Sequence, residues 1–230
     1  MMRKTFEHEI QKLKDGILEM GSMVEQAILG SVETLKERDI PRSHAIYDND
    51  ELINEKRFEI ENAVMIAIAT QQPMAHDLRL LASILEVAGE LERMGDYAKG
   101  IAKINILIGE QPLLKPLVDL PIMAEKCASM LHRALTAFTT EDLDAARAIP
   151  AEDDEVDALY TKIYEDLIAF VIKDPKAPKI LDRANRLLWA AHNLERVADR
   201  VTNICERTIF IATGSMEEID ISDDETSLPQ

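Results

Sequence analysis

Apolar residues recur every three or four positions along most of this chain, which is the period of one face of an α-helix. The first such stretch extends from about Phe6 to Arg38 and ends before Asp39 and Pro41, a capping residue and a helix-start residue. A second stretch extends from about Pro41 to Thr70, and a third from about Met74 to Ile108. Because short connections make neighbouring helices pack antiparallel, these three stretches are predicted to form a bundle.

The same pattern occurs twice along the chain. Glu195 lies 103 residues after Glu92, and Asp199 lies 103 residues after Asp96. The same shift brings most of the chain into register without a gap, which marks an internal repeat. The predicted fold class is therefore all-α, with two tandem three-helix bundles of long antiparallel helices.

The second copy is predicted to repeat the plan of the first. Its helices are expected at about Ile122–Phe138, Asp142–Ile172 and Lys179–Ala212, with a break at residues 174–178. The segment Gly109–Pro121 carries three prolines and reads as a linker, and Gly214 is a natural helix stop.

The predicted division of the chain is a first bundle at 1–110, a second bundle at 111–214 and a tail at 215–230. The tail carries six acidic residues, no basic ones and little to bury, which predicts disorder.

The composition agrees with helical bundles and excludes some classes of binding partner. Aromatic residues make up only 4% of the chain, and the net charge is −17. That charge argues against nucleic acid and against direct contact with an anionic membrane. The chain has no run of 18 apolar residues, and the start of the sequence lacks the apolar segment of a signal peptide. We expect a cytoplasmic protein that reaches the inner face of a membrane only through protein partners.

Three single residues carry weaker expectations. Cys127 and Cys205 fall on apolar helical stripes, without metal-ligand spacing, so we expect both to be small core residues. Trp189 corresponds to Glu86 in the first copy, and burial in the core or in an interface is expected for it.

Oxygen-bearing side chains four residues apart recur in both copies. Such pairs share one helix face, which suits two ligands of one cation. Two pairs on neighbouring helices of each bundle would repel unless a cation lay between them. The candidate ligands are Asp50, Asn54, Glu92, Asp96, Asp153, Asp157, Glu195 and Asp199.

Two interpretations of these residues remain open at this point. An all-oxygen set favours a hard or borderline cation: magnesium, manganese, iron or zinc. A single acidic pair means little, because chance supplies on the order of eight in a chain this acidic. The alternative is a solvated flank of the core, neutralised locally by Lys99, Lys103 and Arg200.

The sequence gives little support to catalysis. Di-iron bundle enzymes need Glu followed by His three residues later on two helices, and no His here has a Glu at that position. His192, three residues before Glu195, is either a partner of that carboxylate or a polar flank. There is no phosphate-binding glycine loop and no nucleophile constellation, so a metal-dependent oxidase or hydrolase is disfavoured.

Two segments resemble the signatures of the PhoU family, bacterial regulators associated with the phosphate-specific transport system. They are QQPMAHDLRLLASILEVAGELERMGDYAKGIA, at 71–102, and LLWAAHNLERVADRVTNICERTIFIATG, at 187–214. The resemblance covers roughly residues 3 to 214. It implies two three-helix bundles with pseudo-twofold symmetry, and it favours the metal interpretation over the solvated flank.

In the PhoU family, E/D-x-x-x-D motifs hold metal ions or multinuclear clusters at the bundle surface. Carried over by position, the motif residues are Glu92 and Asp96 in the first copy and Glu195 and Asp199 in the second. Asp50, Asp153 and Asp157 match the acidic positions of the preceding helices, and Asn54 departs from them. Since Asn54 is a neutral ligand, the first site is expected to bind metal less tightly or to bind fewer ions.

The resemblance also implies a role. Family members restrain the phosphate-starvation response when phosphate is plentiful, by contacting a membrane sensor histidine kinase and the ATPase subunit of a phosphate ABC transporter. The expected function is thus a non-enzymatic, metal-binding helical adaptor, expected as a homodimer. The alternative is a structural helical adaptor for another phosphate or ion transporter, without a functional metal.

Overall fold

The structure of the chain is a computed structural model that describes residues 2–173 and 178–219. Over these two ranges the chain forms helices and no strand, which confirms the predicted class. The elements are α1 (Met2–Glu37), α2 (Ile40–Gln71), α3 (His76–Ile108), α4 (Asp119–Thr140), α5 (Leu143–Ala148), a 3₁₀ helix (Ile149–Glu152), α6 (Asp153–Lys173) and α7 (Pro178–Thr213).

The helices form the two predicted bundles. Helices α1, α2 and α3 pack against one another, and α4, α6 and α7 do the same in the second half. The predicted seams form the core: the α3 residues Leu81, Ile84, Ala88, Leu91, Met94, Ala98 and Ile101 are all fully buried. Cys127 and Cys205 are buried too, as expected for small core residues.

The two bundles share one hydrophobic core. Helix α3 packs against α7 and α1 packs against α4, so a continuous cluster of buried apolar residues spans both halves. The approach is close at Gly21 on α1, where an added Cβ would clash with Cδ1 of Leu135 on α4. Arg79 on α3 also donates hydrogen bonds to the carbonyl oxygen of Ile211, near the end of α7. The sequence repeat did not predict this packing between the copies.

The predicted helix at Asp142–Ile172 is wrong as a single element. It is divided into α5, the 3₁₀ helix and α6, and the division falls at Pro150. Proline lacks the amide donor of the helix ladder, and its ring clashes with the carbonyl four residues earlier. The equivalent residue in the first copy is Tyr47, and α2 continues through it without interruption. As a consequence, Asp153 is the first residue of α6, whereas Asp50 lies inside α2.

Several predicted helix boundaries are confirmed, and others differ from the prediction. The Asp39 side chain caps α2 by accepting a hydrogen bond from the Arg42 amide at 2.9 Å. Helix α7 ends at Thr213, and Gly214 follows it with a positive φ of 79°. Helix α4 begins at Asp119, inside the predicted linker. Part of the predicted break, at 174–177, and the tail residues 220–230 lie outside the described residues.

A buried polar network fixes the corner between α1 and α2. The Asn105 side-chain amide on α3 donates to the Thr34 carbonyl and to the Ser43 hydroxyl, both at 2.8 Å. Arg38 donates to the Asn105 side-chain oxygen from the outside. Since Asn105 is fully buried, these bonds are shielded from water and tie three helices of the first bundle together.

Replacing Asn105 with Ala should lower the free energy of unfolding by roughly 2–4 kcal/mol, because it removes the buried hydrogen bonds to the Thr34 carbonyl and the Ser43 hydroxyl and takes the side-chain acceptor from Arg38. Urea denaturation measures this loss. Thr208 is the matched control, since it occupies the equivalent buried position on α7 and, among the described residues, its hydroxyl donates to the Ile204 carbonyl of its own helix and to no other helix. An equal loss for Asn105→Ala and Thr208→Ala would contradict a special role for the network.

Candidate metal-binding clusters

The first acidic cluster consists of Asp50, Asn54, Glu92 and Asp96. Asp50, on α2, is buried, and its Oδ2 accepts a hydrogen bond at 2.7 Å from Nζ of Lys99 on α3. The Asn54 side-chain amide donates to the same oxygen at 3.2 Å. Oδ1 of Asp50 has no hydrogen-bond partner in the described part of the chain. The most buried carboxylate of this cluster therefore already has a cation at one of its two oxygens.

Glu92 and Asp96 lie close enough to Asp50 to interact with it electrostatically. Burial raises the pKa of Asp96, and the Asp50 charge raises it further, while Lys99 acts in the opposite direction. Burial and the Asp96 charge likewise raise the pKa of Glu92, and Arg57 opposes them from 3.3 Å. The structure thus brings together all four residues that the sequence singled out in the first copy.

Gly95 lets α2 and α3 approach each other at this cluster. A Cβ at this position would lie 3.1 Å from Cδ1 of Ile53 and 3.5 Å from Oδ1 of Asp50. The first distance is shorter than ordinary van der Waals contact, so a side chain at this position would require the Ile53 side chain to shift by a few tenths of an ångström. The equivalent residue in the second copy is Ala198, so the two helix pairs are not built identically.

The second acidic cluster consists of Asp153, Asp157, Glu195 and Asp199. Asp153 begins α6 and is only 2% exposed, and its Oδ1 has no hydrogen-bond partner within the described ranges. Burial raises the pKa of Asp153 to about 7, and the charges of Asp157, Asp199 and Glu195 contribute in that order. The structure therefore also brings together the four candidates of the second copy, around a buried carboxyl group.

An aromatic group borders the second cluster. Nδ1 of His192 lies 2.7 Å from Oε2 of Glu195, which decides between the two alternatives for this histidine: it is a partner of the carboxylate. The His192 ring meets the Trp189 ring edge-on, with centroids 5.6 Å apart, and lies 6.3 Å from the Tyr160 ring. Trp189 is 54% exposed, so burial in the core is wrong, and burial in an interface with another chain stays a prediction.

The side chains of the clusters are of the type that a hard cation prefers, but their arrangement does not form a coordination site. Carboxylate oxygens are suitable ligands, and an unpaired buried oxygen such as Oδ1 of Asp153 is costly without a counter-charge. Yet, among the residues described, no three His, Cys, Asp or Glu side chains are arranged to hold one metal ion. The side chains of a cluster would have to turn toward a bound ion to complete its coordination.

Sequence reasoning missed Arg57 and Tyr160. They occupy equivalent positions of the repeat, 103 residues apart, and each lies beside the glutamate of its cluster. Arg57 pairs with Glu92, whereas the Tyr160 ring packs near His192, the partner of Glu195. A position-by-position comparison of the two copies would have found them, because each differs in charge from its counterpart.

Comparisons with known proteins cover both bundles. The family model described as PhoU domain matches residues 17–104 and 120–208. A protein of Clostridium acetobutylicum named phosphate-specific transport system accessory protein PhoU homolog is 36% identical over 227 residues, covering 97% of this chain and all of the relative. A Rhizobium meliloti protein of the same name is 31% identical over 214 residues, covering 93% of this chain and 89% of the relative.

Solved structures agree in fold. The crystal structure of the phosphate transport system regulatory protein PhoU from Streptococcus pneumoniae superposes with a TM-score of 0.84, at 29% identity over 93% of this chain and all of that one. The structure of PhoU from Pseudomonas aeruginosa gives the same TM-score and identity over 91% of this chain and all of that one. Within the described ranges, no helix has the length and hydrophobicity needed to span a bilayer.

The Asp153 environment predicts a pH dependence of stability in metal-free buffer. Because the folded-state pKa, about 7, lies above the ordinary 3.8, the folded chain keeps a proton that the unfolded chain releases. Stability should therefore fall as pH rises from about 4 to about 7, by about 1.4 kcal/mol per unit of pKa difference. Replacing Asp153 with Asn should remove this contribution and reduce the slope in denaturation curves recorded with a chelator, and the raised pKa values of Glu92 and Asp96 should account for part of the slope that remains.

The exposed neighbour Asp154 provides the matched control for this experiment. Asp154→Asn removes the same charge one residue away, at an exposed position. It should leave most of the pH slope in place. An unchanged slope in Asp153→Asn would contradict the assignment.

Proposed function

The chain belongs to the PhoU family, and we propose that it is a negative regulator of the phosphate-starvation response, acting as a non-enzymatic adaptor between a phosphate ABC transporter and a sensor histidine kinase. The observation that carries this proposal is the match of the family across both bundles, with a 36% identical relative over nearly the whole chain. The names of the relatives and of the solved neighbour describe accessory and regulatory proteins of phosphate transport.

The structure supports an adaptor by what it offers to other proteins. Helix α2 leaves large apolar side chains on the surface, where they are half or more exposed: Leu52, Phe58, Met65 and Ile66. Such a group is suited to a protein contact, and symmetric pairing of two copies is the commonest way to cover one. We include a homodimer in the proposal for this reason.

The proposed location is the cytoplasm, with recruitment to the inner face of the membrane by the transporter and the kinase. A net charge of −17 repels anionic lipid headgroups, so contact through the ATPase subunit and the kinase is the route that electrostatics permits. In the proposed mechanism, the state of the transporter changes how the adaptor holds the kinase, which requires the adaptor to bind the two states with different affinity.

Metal binding is the second part of the proposal. Asp153, Asp157, Glu195 and Asp199 would hold a divalent ion such as iron, zinc, manganese or magnesium, and the ion would neutralise the negative charge collected there. His192 would hold Glu195 in place through its hydrogen bond. The first cluster offers fewer charged ligands, because Asn54 replaces one carboxylate.

A structural adaptor without a functional metal is the second candidate. It is favoured by the absence, among the described residues, of a ready coordination set and by the Lys99 ammonium already bound to Asp50. Metal content of the purified protein separates the two candidates.

Elemental analysis after dialysis should find metal in the wild type and lose it in the Glu195→Ala/Asp199→Ala variant, because that variant removes two of the four proposed carboxylate ligands. Asp48→Ala/Glu51→Ala removes two exposed carboxylates of α2 outside both clusters and should keep the metal. If no stoichiometric metal is found in the wild type, the metal part of the proposal fails and the structural adaptor remains.

The regulatory role is tested in the source bacterium grown in abundant phosphate. Alkaline phosphatase output, a reporter of the starvation response, should rise strongly when this gene is deleted and return to baseline on complementation. Complementation with the Glu195→Ala/Asp199→Ala variant then shows whether the cluster is needed, with the Asp48→Ala/Glu51→Ala variant as the control. Output that stays low in the deletion strain would remove the proposed repression.

A further inference from the structure

The two acidic clusters differ in the charges that surround them. Three positions within or beside the clusters change character between the copies, and each of these changes makes the second cluster more negative. Asn54 becomes Asp157, Arg57 becomes Tyr160 and Lys99 becomes Thr202. Tyr97 becomes Arg200, but the Arg200 guanidinium pairs with Glu90, outside the cluster. In the first cluster, three carboxylates share their surroundings with the cationic side chains of Arg57 and Lys99.

Lys99 is held in the first cluster by two contacts. Its Nζ lies 2.7 Å from Oδ2 of Asp50, a carboxylate that is only 3% exposed. The same ammonium lies over the Tyr47 ring, 5.1 Å from its centroid, in a cation–π contact. Lys99 follows Asp96 by about one helical turn, so its ammonium also interacts with the Asp96 carboxylate. A divalent ion binding here would have to displace this ammonium or be repelled by it.

The second cluster has no lysine at the equivalent position. Thr202 is 4% exposed, and its hydroxyl has no hydrogen-bond partner among the described residues. Pro150 stands where Tyr47 provides the aromatic ring in the first copy. Oδ1 of Asp153, also buried, is without a hydrogen bond within the described ranges as well, so the second cluster has an unpaired buried carboxyl oxygen and no lysine at the position of Lys99.

We propose that Lys99 is the resident cation of the first acidic cluster, and that this chain takes up divalent metal ions at the second acidic cluster alone. The inference rests on the metal-binding part of the proposed function and deepens it. Among the described residues, Oδ1 lacks a partner in both Asp50 and Asp153, so the feature that distinguishes the first cluster is the Lys99 ammonium on Oδ2 of Asp50. Exchange of the residue at this one position should therefore exchange the metal affinity of the two bundles.

The test is a titration with Mn²⁺ alone, in which the paramagnetic resonance signal of free Mn²⁺ gives the amount bound per chain. Lys99→Thr, which copies the second bundle into the first, should double the Mn²⁺ bound at saturation. Thr202→Lys, which copies the first bundle into the second, should reduce it at least tenfold. Lys103→Thr removes an exposed lysine from the same face of the chain and should match the wild type.

Trp189 reports which cluster is filled. It is the only tryptophan, and its ring contacts His192, the hydrogen-bond partner of Glu195. Mn²⁺ should quench its fluorescence in the wild type, and the additional Mn²⁺ in Lys99→Thr should add little further quenching. Quenching should be lost in Thr202→Lys.

A thermal melt provides the remaining readout. Without metal, Lys99→Thr should melt at a lower temperature, because Asp50 is left buried without its cation, and Mn²⁺ should restore the melting temperature. If this variant does not fold, Asp50→Asn and Thr202→Lys test the inference in its place. Asp50→Asn should bind as much Mn²⁺ as the wild type, and Thr202→Lys should lose the bound Mn²⁺.

The possible failures are distinct. Wild-type uptake that is halved by Asp50→Asn would show metal in the first cluster and overturn the inference while leaving metal binding intact. A folded Lys99→Thr variant that gains no Mn²⁺ would overturn it in the same way. If neither the wild type nor Lys99→Thr takes up Mn²⁺, the metal-binding proposal fails and the inference fails with it.

Discussion

The packing of α3 against α7 is the contact on which the rest of the molecule depends. Each of these helices is the third of its bundle, and each is covered by its own bundle on one side and by the other bundle on the other. Leu91 and Leu194, at equivalent positions, are fully buried. Because successive helix residues point about 100° apart, the glutamates that directly follow them emerge at the edge of the core. The two acidic clusters are therefore held by rigid helices and not by loops.

Burial at these edges raises the free-energy cost of the charged carboxylates in the clusters. A carboxylate that is removed from water needs hydrogen bonds or an opposite charge, and the two copies meet this need in different ways. Asp50 lies in the middle of a continuous helix and accepts hydrogen bonds from Lys99 and Asn54. Asp153 begins a helix after the Pro150 interruption, and burial raises its pKa to about 7. The repeat thus preserved the positions of the acids while their surroundings diverged.

This divergence gives the two bundles unequal acidic clusters. One cluster is largely neutralised by the chain itself, and the other collects carboxylates beside the exposed Trp189 and the His192 ring. A cluster whose charge depends on a bound ion would present different surfaces to a partner with and without that ion, and an internally neutralised cluster would not. In the proposed adaptor between a transporter and a kinase, this difference would provide a physical basis for telling the two partners apart.

The sequence by itself determined the helical class, the repeat, the buried seams, the Asp39 cap and the Gly214 stop, because helical periodicity and terminal residue chemistry are local properties. It also predicted the two groups of four side chains that lie close together, since the repeat reproduced their spacing. Tertiary structure alone decided that Lys99 reaches Asp50 on another helix, that Trp189 is exposed, and that the bundles share one core. Periodicity shows which face of a helix is buried, but the partner that covers the face, and the charge that lands beside a carboxylate, follow only from how the helices pack together.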